Sequence, residues 1–136
     1  MKKYILFIMV ALLTISAGAT FGQSNKKSTE VLYFKANLCK CKAGACNALQ
    51  ADVDSVIIKY FQNENIEFKV IRLVKENEEL ITKYNAKSQT VIIVTKKRKK
   101  ENALDVSDIV SDYSKSKDKV KFENEMKDKI NEILKM

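Results

Sequence analysis

One change of period constrains this chain more than any other feature. The run EVLYFKA, residues 30–36, is nearly continuous in apolar character and rich in β-branched and aromatic side chains, which suits a buried strand. From Ala45 the period becomes 3.6. Leu49, Val53, Val56, Ile57, Tyr60 and Phe61 fall on one stripe and predict an amphipathic helix ending near Asn63. All three cysteines, Cys39, Cys41 and Cys46, lie within eight positions at the junction. Open α/β sheets place their chemistry at such junctions, because the unpaired N–H groups and positive dipole end of the helix stabilise an anion there. A thiol so placed is biased toward the thiolate, its nucleophilic form.

The remaining pattern extends this unit. IEFKVIRLV (66–74) alternates as a second strand, and NEELITKYNA (77–86) reads as a short helix with Asn77 as N-cap and Leu80, Ile81 and Tyr84 inward. TVIIVTK (90–96) is the strongest strand. KRKKEN makes a polar turn, ALDV a return strand, and Ser107 a cap-like start to SDIVSDYS. Phe122, Met126, Ile130 and Ile133 mark a closing amphipathic helix. The predicted order is β-α-β-α-β-β-α: an α/β sandwich whose mixed sheet of about four strands is flanked by helices.

The N-terminal segment reads as an address. Lys2 and Lys3 precede an apolar core from Tyr4 to Ile15, followed by SAGATFG, with cleavage expected after Ala19 or Gly22. The alternative is an uncleaved anchor, since Tyr4 to Phe21 is 18 residues and close to the minimum span. The expected organisation is a signal peptide over 1–22, a polar lead-in over 23–29 and one domain over 30–136. The protein is then exported, to the periplasm or outside the cell, without stable membrane insertion once the signal is cut. The formal charge of +8 is spread over helix faces and one short run, KKRKK (96–100), which is expected to solvate a hairpin tip rather than to bind nucleic acid. There is no histidine, which excludes Cys–His nucleophile pairs and histidine-ligated metals.

At the cysteine junction the residues resemble the thioredoxin-like superfamily. FKANLC is similar to that family's F-x-A-x-x-C, which implies that Cys39 is the attacking cysteine. CNALQADVDSVIIKYF looks like its second cysteine and helix, which implies that Cys46 resolves. The chain is particularly similar to the small exported thioredoxin-like family named for a nitrophenyl compound nitroreductase subunit (the ArsF family). There YYFH…C-x-x-C-x-x-x-E opens the domain, and Gln50 stands where its Glu would be. The resemblance implies a thioredoxin-like fold and a partner that is a protein thiol, a disulfide or another redox subunit, and it implies no organic cofactor. The spacing departs from the pattern: Cys39 to Cys46 is seven positions, a C-x-C-x4-C motif with four extra residues expected in the active loop. Ser88, Gln89 and Thr90 occupy the place of the family's cis-proline. A cis bond there would cost roughly 2.5–4 kcal/mol, so a rebuilt trans loop is expected.

Three chemistries fit the thiols. In thiol–disulfide exchange or electron relay, Cys39 or Cys41 attacks and Cys46 resolves, with Lys40 and Lys42 lowering the thiol pKa values. In soft-metal or metalloid binding, Cys39, Cys41 and Cys46 form a trigonal thiolate site. In a structural role, a Cys39–Cys46 or Cys41–Cys46 bridge staples the loop of a non-catalytic domain. Asp52 and Asp54 are expected to be exposed, and Tyr33 and Phe34 to belong to the sheet core rather than to a ligand platform.

Overall fold

The computed structural model describes residues 27–37 and 40–136, with backbone alone for 40–43. The expected signal peptide, most of the lead-in, Cys39, and the side chains of Lys40, Cys41 and Lys42 lie outside the described residues. Strand β1 (Ser28–Lys35) leads to helix α1 (Lys40–Tyr60) and strand β2 (Ile66–Arg72). A 3-10 turn (Lys75–Asn77) then runs into α2 (Glu78–Lys83), followed by the hairpin β3 (Val91–Lys97) and β4 (Lys100–Asp105). Two helices, α3 (Ser107–Ser116) and α4 (Lys119–Leu134), complete the domain. Among the described residues no helix is long and apolar enough to cross a membrane.

The sheet is four-stranded and mixed, in the order β2-β1-β3-β4. β1 and β2 are parallel, while β3 is antiparallel to both β1 and β4. Alternation along the central strands sends side chains to opposite faces. Val31, Tyr33, Val91 and Ile93 meet α1, α3 and α4, whereas Leu32, Phe34, Ile92 and Val94 meet α2. Two covered faces explain why these strands read as continuous apolar runs.

Packing, not surface charge, holds the helices. Phe122, Met126, Ile130 and Ile133 of α4 are at most 2% exposed. Each such side chain contributes about 1.5–3 kcal/mol on burial. The ion pairs on the outer face, Lys121–Glu125 and Lys129–Glu132, are exposed to solvent and add little. Tyr113 stacks on Phe122 at 4.4 Å and locks α3 to α4. Between these helices Lys117 is left-handed (φ 59°), and the Asp118 carboxylate caps α4 by accepting from the Lys121 N–H. The C-terminal portion is therefore two helices, where the predicted order has one.

Several boundaries differ from expectation, each for a local reason. α1 starts at Lys40 rather than Ala45, because KCKAG contains no proline or β-branched residue and its one glycine, Gly44, is not enough to break a helix. Its apolar stripe is buried as predicted except for Tyr60, which is 38% exposed and donates to Glu123. Asn77 precedes α2, but its side chain donates back to the Arg72 carbonyl instead of capping. Ser107 is the first helical residue of α3 rather than its cap, and its Oγ accepts from the Val91 N–H at 3.0 Å. Asp52 and Asp54 are partly buried rather than exposed. Asp52 accepts from the Tyr113 hydroxyl and pairs with Lys119, tying α1 to α3 and α4.

Candidate functional site

The end of the sheet where β1 finishes holds the described part of the cysteine cluster. Cys46 lies in the second turn of α1, with a free thiol only 3% exposed. Its surroundings are made by two neighbours on the sheet. Tyr33, fully buried on β1, donates its hydroxyl to the Cys46 carbonyl at 3.2 Å. Gln89, just before β3, places its amide nitrogen 3.5 Å from the Cys46 sulfur.

Gln89 reaches the sulfur because the chain is bent twice. The first bend is a Schellman closure of α2: Asn85 is left-handed (φ 46°), Asn85 N–H donates to the Thr82 carbonyl and Ala86 N–H to the Ile81 carbonyl. The second is a one-residue bulge at the start of β3. Phe34 receives the Gln89 N–H and donates its own N–H to the Thr90 carbonyl, each at 2.8 Å, so two residues oppose one. Gln89 occupies the left-handed position of that bulge (φ 68°), for which glycine is the usual choice. The Thr90 hydroxyl steadies the loop by accepting from the Lys87 N–H. All peptide bonds among the described residues are trans, those through Ser88, Gln89 and Thr90 included.

Electrostatics at the site follow from burial. The Tyr33 phenol is pushed up to about 12, chiefly by desolvation and further by the negative charge that Cys46 can carry. Tyr33 therefore stays a donor across the physiological range. Lys35, the last residue of β1, donates to Asn47 and, at 3.1 Å, to Gln50, which pins the strand end to the outer side of α1. The polar residue at position 50 thus has a partner in this fold, a lysine one strand position beyond Phe34.

The early start of α1 changes what the thiols can do. Cys41 and Cys46 are five residues apart on one helix, which puts their Cα atoms about 8.7 Å apart by helix geometry. A disulfide needs about 7 Å or less. A Cys41–Cys46 bridge therefore requires the first turns of α1 to unwind, and the expected active-loop expansion is helix from Lys40 onward. Gly44 lies in those turns with nothing within 4 Å of where a Cβ would stand, so packing does not require glycine there. Among the described residues no three cysteine or acidic side chains converge on a metal-sized site.

The sequence pointed to Cys46 and to the loop at 88–90, but not to the roles of Tyr33 and Gln89. For Gln89 the sequence offered its place just before the strongest strand, within the stretch that replaces the resembled family's cis-proline, and the bulge is what aims its side chain at the sulfur.

No family model and no curated protein matches the chain. A solved structure described as "Structure of a malarial protein" is 28% identical over 57% of this chain and 80% of its own, with a TM-score of 0.37. At that score the likeness carries no argument about fold or function.

Proposed function

We propose that this chain is an exported thioredoxin-like domain that exchanges thiols and disulfides through Cys39 and Cys46. The observation that carries the proposal is the buried Cys46 thiol near the end of β1, its sulfur met by the Gln89 amide and its backbone carbonyl held by the Tyr33 hydroxyl. The sheet order β2-β1-β3-β4, with α1 and the C-terminal helices on one face and α2 on the other, supports the thioredoxin-like assignment. A buried thiol suits the resolving role, since it is shielded until a neighbouring sulfur is presented to it.

In the proposed cycle the Cys39 thiolate attacks one sulfur of a partner disulfide. A mixed disulfide forms and the partner's other sulfur leaves as a thiolate. Cys46 then attacks the Cys39 sulfur, releasing the partner's second thiolate, which takes up the Cys46 proton. The partner gains two electrons and the chain is left with a Cys39–Cys46 disulfide. A Cys41–Cys46 bridge would in addition require the first turns of α1 to loosen, in which Gly44 is the weakest helix former. Cys41 serves as the alternative attacking thiol. The partner, by the resemblance to the exported nitroreductase-subunit family, is another redox subunit.

The test is a glutathione redox titration with alkylation and mass spectrometry. A two-electron midpoint between about −120 and −270 mV supports exchange, whereas a pair still oxidised below about −300 mV identifies a structural bridge. Protection of all three thiols only when Cu(I) or arsenite is added would favour the trigonal metal site instead.

A further inference from the structure

The opposite end of the sheet carries a different chemistry. β3 and β4 are joined by a two-residue turn, Arg98–Lys99, with Lys97 paired to Lys100. Four successive cations, Lys97 to Lys100, are all exposed there. The acids nearest in register are already engaged. Glu30 is held by Lys69 and Lys96, and Glu101 by Lys83. Lys97, Lys99 and Lys100 have no ion pair among the described residues. Lys97, Arg98, Lys99, Lys100, Asn102 and Met136 line an open recess of about 560 Å³, and Met136 is 56% exposed within it. The tip thus combines concentrated positive charge with an apolar side chain and long aliphatic stems.

Topology gives this end its partner. Ser28, where β1 begins, is in register with Lys96, so the chain enters the domain beside the basic tip. The apolar run Tyr4–Phe21 ends seven residues before Ser28, a reach of at most about 25 Å. We infer that the Lys97–Lys100 tip, with Met136, is a docking surface for the anionic phospholipid headgroups of a membrane leaflet. While the apolar run is in a membrane, its short tether keeps this tip at the leaflet; after cleavage, the charge remains to hold the domain there. Docking in this orientation turns the Cys46 end toward solvent. Nucleic acid fits less well, because no aromatic side chain lines the recess to stack on bases.

The inference is independent of the thiol chemistry and is tested without it. The chain isolated after expression with its own leader is sedimented with vesicles of phosphatidylcholine alone or mixed with phosphatidylglycerol, at low and high salt. The readout is the ratio of anionic to neutral binding, so any retained apolar run cancels. Each lysine at an anionic surface is worth about fivefold in partitioning, so K97E/K99E/K100E should lower the ratio by about 100-fold or more. K75E/K87E/K115E, which changes net charge equally elsewhere, should lower it only a few-fold. High salt should abolish the wild-type preference. Circular dichroism of both variants establishes that they are folded. An equal loss in the two variants, an undiminished preference in the tip variant, or no anionic preference in the wild type would overturn the inference. So would an oligonucleotide that outcompetes the vesicles at the same salt.

Discussion

Strand β3 begins and ends beside a non-glycine residue in the left-handed region: Gln89 at φ 68° and Arg98 at φ 57°. The two positions look equivalent on the backbone and differ in everything else. Gln89 is fixed by a backbone bond to Phe34 and aims its amide at a buried sulfur. Arg98 sits in a turn whose φ pattern is of type II′, where glycine normally leads, and it is exposed among lysines. One end of the sheet thus uses an unfavourable backbone angle to position a side chain inside the domain. The other uses it to keep a cation at a tip. The contrast separates internal chemistry from external attraction.

The largest effect should come from Cys46→Ser. Turnover in a disulfide-exchange assay should be lost, and a mixed disulfide between Cys39 and the partner should accumulate on non-reducing gels. The serine hydroxyl can take the Gln89 amide in place of the sulfur, so the fold should survive. K97E/K99E/K100E should leave the exchange rate unchanged. If the tip variant abolished exchange as well, the two ends would not be independent.

Next in size is a pH effect confined to the thiol end. The Tyr33 phenol is raised from its ordinary value to about 12 by burial, so the native state binds its proton more tightly than the unfolded chain. That contribution is complete below pH 10 and is lost as pH rises through about 12. A raised pKa of this size corresponds to a stability on the order of 2 kcal/mol. The stability difference between wild type and Tyr33→Phe, measured by denaturant melts, should be about 1 kcal/mol near neutrality from the lost hydrogen bond. It should then fall, and change sign, between pH 10 and 12. Lys69 and Lys83, raised by their carboxylate partners, also lose stability at high pH, but equally in both proteins. A difference that stays flat with pH would mean that the Tyr33 hydroxyl is not buried as described.

The same contrast explains what the sequence made legible. Core-forming elements announced themselves, because an apolar stripe such as Phe122, Met126, Ile130 and Ile133 records the face it buries. The four-stranded mixed sheet followed from the order of those stripes. Boundaries in polar stretches did not. KCKAG has no apolar periodicity, so nothing in it marked that α1 would begin at Lys40. The break between α3 and α4 depends on a left-handed lysine that no sequence preference announces. At the site, Cys46 was visible by its type and place. Tyr33 was legible only as core, since burial and a hydrogen bond to a helix carbonyl leave the same apolar signature. Gln89 depends on a bulge, and a bulge set by a non-glycine residue carries no sequence mark.

A smaller effect probes whether α1 must loosen for the thiols to meet. Gly44→Ala should stabilise the reduced protein by about 1 kcal/mol, the usual helix-interior difference, because nothing occupies the space the new methyl would take. If the disulfide forms only when the first turns unwind, that stability belongs to the dithiol alone. The midpoint potential should then rise by about 20 mV, the equivalent of 1 kcal/mol for two electrons. An unchanged potential with the stability gain intact would place the disulfide on a fully helical α1.

The smallest effects come from the two left-handed residues themselves, and they sharpen the comparison most. Replacing either by glycine removes roughly 1–2 kcal/mol of backbone strain and adds about 0.4–1 kcal/mol of unfolded-state entropy. Arg98→Gly should leave thiol alkylation rates unchanged, while weakening binding to anionic vesicles by a few-fold. Gln89→Gly should come out near zero in stability, because the strain relief is offset by the lost amide contact to Cys46. Its mark should appear instead in the chemistry: Cys46 should alkylate faster, since the side chain that covers its sulfur is gone. Gln89→Ala serves as the control, exposing the same sulfur while keeping the strain, so it should be the less stable of the two and equally reactive. If Gln89→Gly left Cys46 as unreactive as before, the bulge would be only a bend in the chain, and the difference between the two ends of β3 would reduce to exposure.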